Sequence, residues 1–141
     1  MSSVSKLIAL PGARRRLLMR AFLTVTAFRA ALSVLPFRWT RRLAARDGGR
    51  TPATAPSREE LVWAVSAAAR HVPRATCLTQ ALALQALLTR EGHDARLRLG
   101  VARGELGALE AHAWLESGGR VVIGGPQAAR FVPLPLPAND V

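Results

Sequence analysis

Residues 76–101 read TCLTQALALQALLTREGHDARLRLGV, and the hydrophobic period changes inside them. From Thr76 to Gly92 the segment is apolar almost all round, with Leu78, Ala81, Leu82, Ala83, Leu84, Ala86, Leu87 and Leu88 leaving no wide polar face. A helix of that composition belongs in the middle of a domain. Thr76 is a natural N-cap and Gly92 a natural left-handed stop. Beyond Gly92 the period falls to two. Ala95, Leu97, Leu99 and Val101 alternate with Arg96, Arg98 and Gly100, which predicts a strand with one buried face.

The reading extends outward in both directions. Residues 103–108 form a Gly-containing loop. Leu109, Ala111, Ala113 and Leu115 then alternate with Glu110, His112, Trp114 and Glu116, Ser117-Gly118-Gly119 turns the chain, and Arg120 to Ile123 returns. Gly124-Gly125-Pro126 breaks that strand, and the tail with Pro133, Pro135 and Pro137 is expected to lie extended over the surface. On the N-terminal side, Ser57 followed by Glu60 is a capping-box pattern that opens a helix from Arg58 to about His71, before Pro73. Residues 47–57, rich in Gly, Pro, Ser and Thr, read as a linker. A further helix runs from about Ala13, after Pro11-Gly12, to Leu35, before Pro36, with residues 1–10 frayed. The order is helices followed by antiparallel strands, so the fold class is α+β. The expected division is a basic amphipathic helical segment at 1–46, a linker at 47–57 and one catalytic domain at 58–141.

The formal charge of +11 resembles a nucleic-acid signature until it is divided along the chain. Residues 1–46 hold ten Lys/Arg and no acid, for +10; residues 47–141 hold ten Arg and nine Asp/Glu, for +1. The basicity therefore belongs to the N-terminal third, and a whole-domain footprint for nucleic acid is absent. The helix of that segment packs its Leu/Phe side on the domain, or docks to a partner or a membrane surface through residues 13–46. Arg20 and Arg29 weaken a transmembrane or secretory reading of Leu17 to Phe37. Cytoplasmic is the default, with peripheral contact at the inner membrane face. Deletion of 1–46 is expected to weaken association or solubility and to spare the chemistry.

The single cysteine excludes an intramolecular disulfide and fits a reducing compartment or a thiol kept for its reactivity. On general grounds a lone cysteine is a small inert hydrophobe. Cys77, however, sits in the first turn of the buried helix, where backbone N–H groups and the positive helix end favour the negative charge a thiolate nucleophile carries. His112 lies in mid-strand. Alone it reads as a satisfied core residue; beside a thiol on a neighbouring element it completes the minimum set for cysteine acyl transfer. His71 and His93 fall at helix ends and read as ordinary cap residues. An oxyanion site would use the N–H of Cys77 and a first-turn neighbour, with Gln80 as a weaker alternative. Trp114 reads first as core packing and second as a substrate wall. With one Cys and three separated His there is no zinc pattern, and no phosphate loop suggests a nucleotide, so no cofactor or metal is expected.

At this point the residues are recognisable. Val72-Pro73-Arg74-Ala75-Thr76-Cys77-Leu78-Thr79-Gln80-Ala81-Leu82-Ala83-Leu84, Gly92 to Val101, and Ala111-His112-Ala113-Trp114-Leu115-Glu116, together with Ile123-Gly124-Gly125 and Phe131-Val132-Pro133-Leu134, resemble the lasso-peptide leader peptidases, which include the microcin-processing proteins of the transglutaminase-like superfamily. The likeness covers roughly residues 58–136. It implies a papain-like core with the Cys-bearing helix packed on a small antiparallel sheet, with Cys77 as nucleophile and His112 as base. It also implies that the enzyme removes the leader from a ribosomally made precursor during antibiotic biosynthesis. A separate leader-binding recognition protein and an asparagine-synthetase-like cyclase would be its partners.

The chain departs from that pattern at the third member of the triad. Family members often carry an acid or amide on the strand returning from the histidine. A three-residue turn sets position 124 opposite His112 and a two-residue turn sets 125, and both are glycine. Glu116, on the same strand face, is two pairs along, roughly 13 Å by strand rise. Gln127, Asn139, Asp140 or a backbone carbonyl are the other groups that could hold the ring. Two alternatives to the peptidase follow: an acyl transferase of the same fold, and a non-enzymatic adaptor in the maturation complex, which the missing acid favours.

Overall fold

The computed structural model describes residues 12–44, 56–73, 75–104, 107–125 and 132–134. Among these residues four helices precede four strands: α1 (Gly12–Val34), α2 (Phe37–Ala44), α3 (Arg58–Ala69), α4 (Cys77–Arg90), β1 (Arg96–Arg103), β2 (Leu109–Ser117), β3 (Arg120–Ile123) and β4 (Val132–Leu134). The strands form one antiparallel sheet in the order β3-β2-β1-β4. The α+β class holds. Most of the expected linker, 47–55, lies outside the described residues, as do residues 1–10.

The caps form as their side chains dictate. The Ser57 hydroxyl accepts from the Glu60 N–H at 3.2 Å and donates to the Glu60 carboxylate at 3.3 Å, which caps the start of α3. Gly92, at φ 80°, ends α4: its N–H donates to the Thr89 carbonyl at 3.2 Å and the His93 N–H to the Leu88 carbonyl at 2.9 Å. These are the two bonds of a Schellman stop.

α4 is the buried centre, with Ala81 to Leu88 all buried. Leu61, Ala64, Val65 and Ala68 of α3 pack on it, and on the sheet side so do Leu97, Ala113 and Leu115. α1 joins the same core through Leu17, Ala21, Val25 and Phe28, one stripe at helical spacing. The Leu/Phe side of the helix packs on the domain, as the first of the sequence readings has it; only the expected tolerance of a 1–46 deletion changes. α1 is a wall of the core, so its removal strips apolar cover from α3 and α4 instead of trimming an appendage. Arg20, one of the charges that interrupts the apolar run, donates to the Glu91 carboxylate at 2.6 Å, with Glu91 only 11% exposed.

Two elements differ from the sequence reading. The basic stretch after Pro36 is a helix, α2, whose Thr40 and Ala44 are buried while the Ala44 carbonyl accepts from the Thr89 hydroxyl at 3.3 Å. The Pro-containing tail supplies β4, paired with Leu99 to Val101 of β1; Pro133 sits opposite Gly100, on an edge strand where its missing N–H is tolerated.

The short connections order the two ends of the domain. The chain turns back at 91–95, so β1 runs against α4 and β2 runs with it. At the lower end, the Ser117 hydroxyl donates to the Asp94 carbonyl, the Gly118 N–H donates to the Asp94 carboxylate at 3.1 Å, and Arg58 donates to Ser117 at 2.7 Å and to Asp94 at 3.3 Å. These bonds hold Asp94 below the usual carboxylate range, the Gly118 N–H first and the Arg58 charge next. The start of α3, the end of α4 and the β2–β3 turn are tied there, and the start of α4 is left at the opposite end.

Candidate active site

Cys77 is the first residue of α4. Thr76 precedes it at φ −73° and ψ 173°, and its hydroxyl accepts from the Thr79 N–H at 3.3 Å. The amide hydrogens of Cys77 and Leu78 lie in the turn where intrahelical acceptors do not exist, which makes them the natural donors for an oxyanion. Cys77 is half-buried against the core. Gln80, the weaker oxyanion candidate, donates its side-chain amide to the Ala75 carbonyl at 3.1 Å. It therefore holds the loop that leads into Cys77.

His112 stands on β2 opposite Gly100, with Trp114 opposite Arg98. Strand alternation sends Ala113 and Leu115 toward α4, and His112, Trp114 and Glu116 to the other side. The imidazole stacks on Trp114, ring centroids 6.1 Å apart at 24°. Trp114 is only 4% exposed yet stands outside the helix-packed core, so it walls the histidine and does not fill the domain centre.

His112 Nε2 lies 3.0 Å from the Gly124 carbonyl oxygen. A carbonyl only accepts, so this contact places the proton on Nε2 and leaves Nδ1 as the basic nitrogen. Among the described residues the group at Nε2 is a backbone carbonyl, and Gly124 makes the approach possible. It has φ +78°, and a Cβ there would lie 2.8 Å from the Ala113 carbonyl oxygen, 3.0 Å from Trp114 Cβ and 3.2 Å from His112 Nε2.

The register explains why hairpin arithmetic missed this. The turn is the two-residue Gly118-Gly119, with Ser117 opposite Arg120 and Glu116 opposite Val121, but Leu115 pairs with Ile123. Val122 is therefore an extra residue on β3, a bulge. β3 then ends at Ile123, before the ladder reaches His112, so neither 124 nor 125 pairs across from it. The Gly124 carbonyl reaches the ring from beyond the strand's end.

Glu116 is not beside His112; Arg98 donates to its carboxylate at 3.3 Å across the ladder. Gln127, Asn139 and Asp140 lie outside the described residues. His93 faces the Pro56 carbonyl at 3.2 Å, and His71 is exposed at the end of α3. Among the described residues no cluster of His, Cys, Asp or Glu is suited to a metal ion.

The vertical position of the two principal residues follows from element geometry. Cys77 lies thirteen residues above Arg90, about 20 Å at a 1.5 Å rise. His112 lies five residues above Ser117, about 17 Å at 3.3–3.4 Å per residue. Both therefore lie toward the end of the domain away from the Asp94 knot, Cys77 in the helix layer and His112 on the sheet face that Ala113 and Leu115 do not use.

Comparison with known proteins gives one family. Residues 22–135 match the transglutaminase-like superfamily, from within α1 to just past β4. No curated protein and no solved structure matches the chain.

Proposed function

This chain belongs to the transglutaminase-like superfamily, and from that premise we propose that it is a cysteine peptidase that removes the leader from a ribosomally made lasso-peptide precursor. The superfamily includes cysteine peptidases and acyl transferases. The observation that carries the reading is the match of residues 22–135 to the superfamily together with Cys77 in the first turn of the buried helix; the Nε2 contact of His112 with the Gly124 carbonyl fixes the ring tautomer. Cys77, in the first turn of α4, is the proposed nucleophile; β2 alternation sets His112 on the sheet face away from Ala113 and Leu115, so the pairing of thiol and imidazole is what the test below decides.

The roles follow. His112 Nδ1 takes the Cys77 thiol proton, and Sγ attacks the carbonyl carbon of the scissile bond. The amide hydrogens of the first turn of α4 hold the oxyanion. The imidazolium returns its proton to the leaving nitrogen, the C–N bond breaks, and the leader remains as a thioester on Sγ. Water, deprotonated by His112, attacks that carbonyl; the leader leaves with a free carboxyl group and the thiol is restored. The freed amine of the core peptide then serves an asparagine-synthetase-like cyclase acting separately. A leader-binding protein supplies recognition, and the compartment is the cytoplasm.

The test uses the full chain, a precursor and its leader-binding protein, with products read by mass. Cys77→Ala and His112→Ala each abolish leader removal while the far-ultraviolet dichroism stays that of the parent. Cleavage near the parent rate in either variant rejects the mechanism. Transfer of the leader to an added labelled amine in preference to water would reassign the chain as an acyl transferase. Alkylation of Cys77 by iodoacetamide reports the pair without any substrate, and His112→Ala should slow it at neutral pH.

A further inference from the structure

The corner between α1 and α2 presents apolar side chains to water and surrounds them with arginines. Val34 is 79% exposed, Trp39 47%, Leu43 43% and Leu35 42%. The inner side of α2 is spent on the core through Thr40 and Ala44, so Trp39 and Leu43, one turn apart, face outward by geometry. Arg38 and Arg42 lie beside them, their guanidinium carbons 5.8 and 5.3 Å from the Trp39 ring centroid. No acid occurs anywhere in residues 1–46, against ten Lys/Arg.

We propose that this corner docks the protein on an anionic phospholipid bilayer. The Trp39 indole, Val34, Leu35 and Leu43 enter the headgroup–acyl boundary, and Arg38 and Arg42 meet the phosphates. An indole flanked by arginines suits that boundary, where one side is apolar and the other wet and negative. The competing occupants fit less well. Nucleic acid gains nothing from exposed Val34, Leu35 and Leu43. A second copy of the chain would bring arginines against arginines, since residues 47–141 carry only +1.

The contact is interfacial and not a span. α1 is long and apolar enough to cross a membrane. Its Leu17, Ala21, Val25 and Phe28, however, are core residues packed with α3 and α4, and lipid all round the helix would open that core.

The experiment is flotation of the full chain with vesicles of phosphatidylcholine alone and of phosphatidylcholine mixed with phosphatidylglycerol. Binding is expected only with phosphatidylglycerol, and it weakens with added salt. Arg38→Glu with Arg42→Glu should lower the partition coefficient by about thirtyfold or more, from about 1 kcal/mol for each arginine near an anionic surface. Trp39→Ser should weaken binding, whereas Trp39→Phe should keep it and lose the lipid-induced blue shift of fluorescence. Thermal melting of each variant without lipid controls for folding. Four results overturn the proposal: no binding to either vesicle, equal binding to both, parent-like binding by the charge-reversed variant, or equal displacement by duplex DNA. A parent dimer that Trp39→Ser converts to monomer, with no vesicle binding, would assign the corner to a second copy.

Discussion

Gly124→Ala tests the assignment of a backbone carbonyl as the group that orients His112. The added Cβ would stand 2.8 Å from the Ala113 carbonyl oxygen and 3.0 Å from Trp114 Cβ, and the residue would keep φ +78°. The left-handed conformation costs a residue with a Cβ about 1–2 kcal/mol. Crowding against a carbonyl that cannot rotate aside adds about 1–3 kcal/mol. The sum is less than the roughly 5–15 kcal/mol that holds a domain together, so the variant folds. It escapes the strain by swinging the 124 peptide, which withdraws the carbonyl from Nε2. A hydrogen bond to a group that becomes charged is worth about 1.5–3 kcal/mol. At 1.36 kcal/mol per decade, kcat for leader removal should fall roughly ten- to a hundredfold with KM little changed. Gly125→Ala is the control: its Cβ would meet only the Val121 side chain, at 3.6 and 3.9 Å, so it should behave as the parent. A folded Gly124→Ala enzyme with parent kcat would refute the reasoning, as would an equal loss in both variants.

Other expectations are independent of substrate. Gln85, 6% exposed, has a buried Oε1 with no hydrogen-bond partner among the described residues, so Gln85→Met should raise stability by about 1 kcal/mol, seen as a rise in Tm; a fall would mean that the amide is satisfied. Asp94 titrates below its ordinary 3.8, so its contribution is complete above that pH and disappears as the pH falls through the lower folded value. Asp94→Asn should therefore be less stable than the parent at neutral pH, by under about 1 kcal/mol given an exposed carboxylate, and the gap should close below pH 3.8. Equal differences at both pH values would contradict this. Deletion of residues 12–34 should leave a chain without a cooperative melting transition, because Leu17, Ala21, Val25 and Phe28 are core.

What could be read from the sequence was local. Ser57, Thr76 and Gly92 marked helix ends because each satisfies backbone groups within a few residues; the alternation in 95–101 and 109–116 named β1 and β2 but only part of their core faces, since Leu97, Ala113 and Leu115 are buried while Leu109 and Ala111 are exposed and Trp114 is buried on the other side. α2 was missed because arginines at 38, 41 and 42 obscured the Thr40 and Ala44 face in only two turns of helix. β4 was missed because Pro133, Pro135 and Pro137 read as an unpaired tail, and its pairing depends on the distant Gly100. The candidate site divided the same way. Cys77 and His112 stood out by residue type and placement, whereas the Gly124 carbonyl depends on a bulge at Val122 that no turn rule supplies. Glu116 looked eligible on its strand face until Arg98 across the ladder engaged it.

The margins of the sheet constrain how a peptide could be held. On one side β3 offers four residues distorted by the bulge; on the other β4 offers three, with Pro133 lacking a donor at the centre. An extended chain would find little to zip onto along β3 or β4 themselves, so addition to those two strands is a poor route to affinity; among the described residues, Leu109 to Trp114 of β2 lie beyond the β3 ladder. Apart from that stretch, capture would come from side-chain contacts near the reactive end or from a helper protein that presents the peptide. Fusion to such a helper should then lower KM far more than it raises kcat.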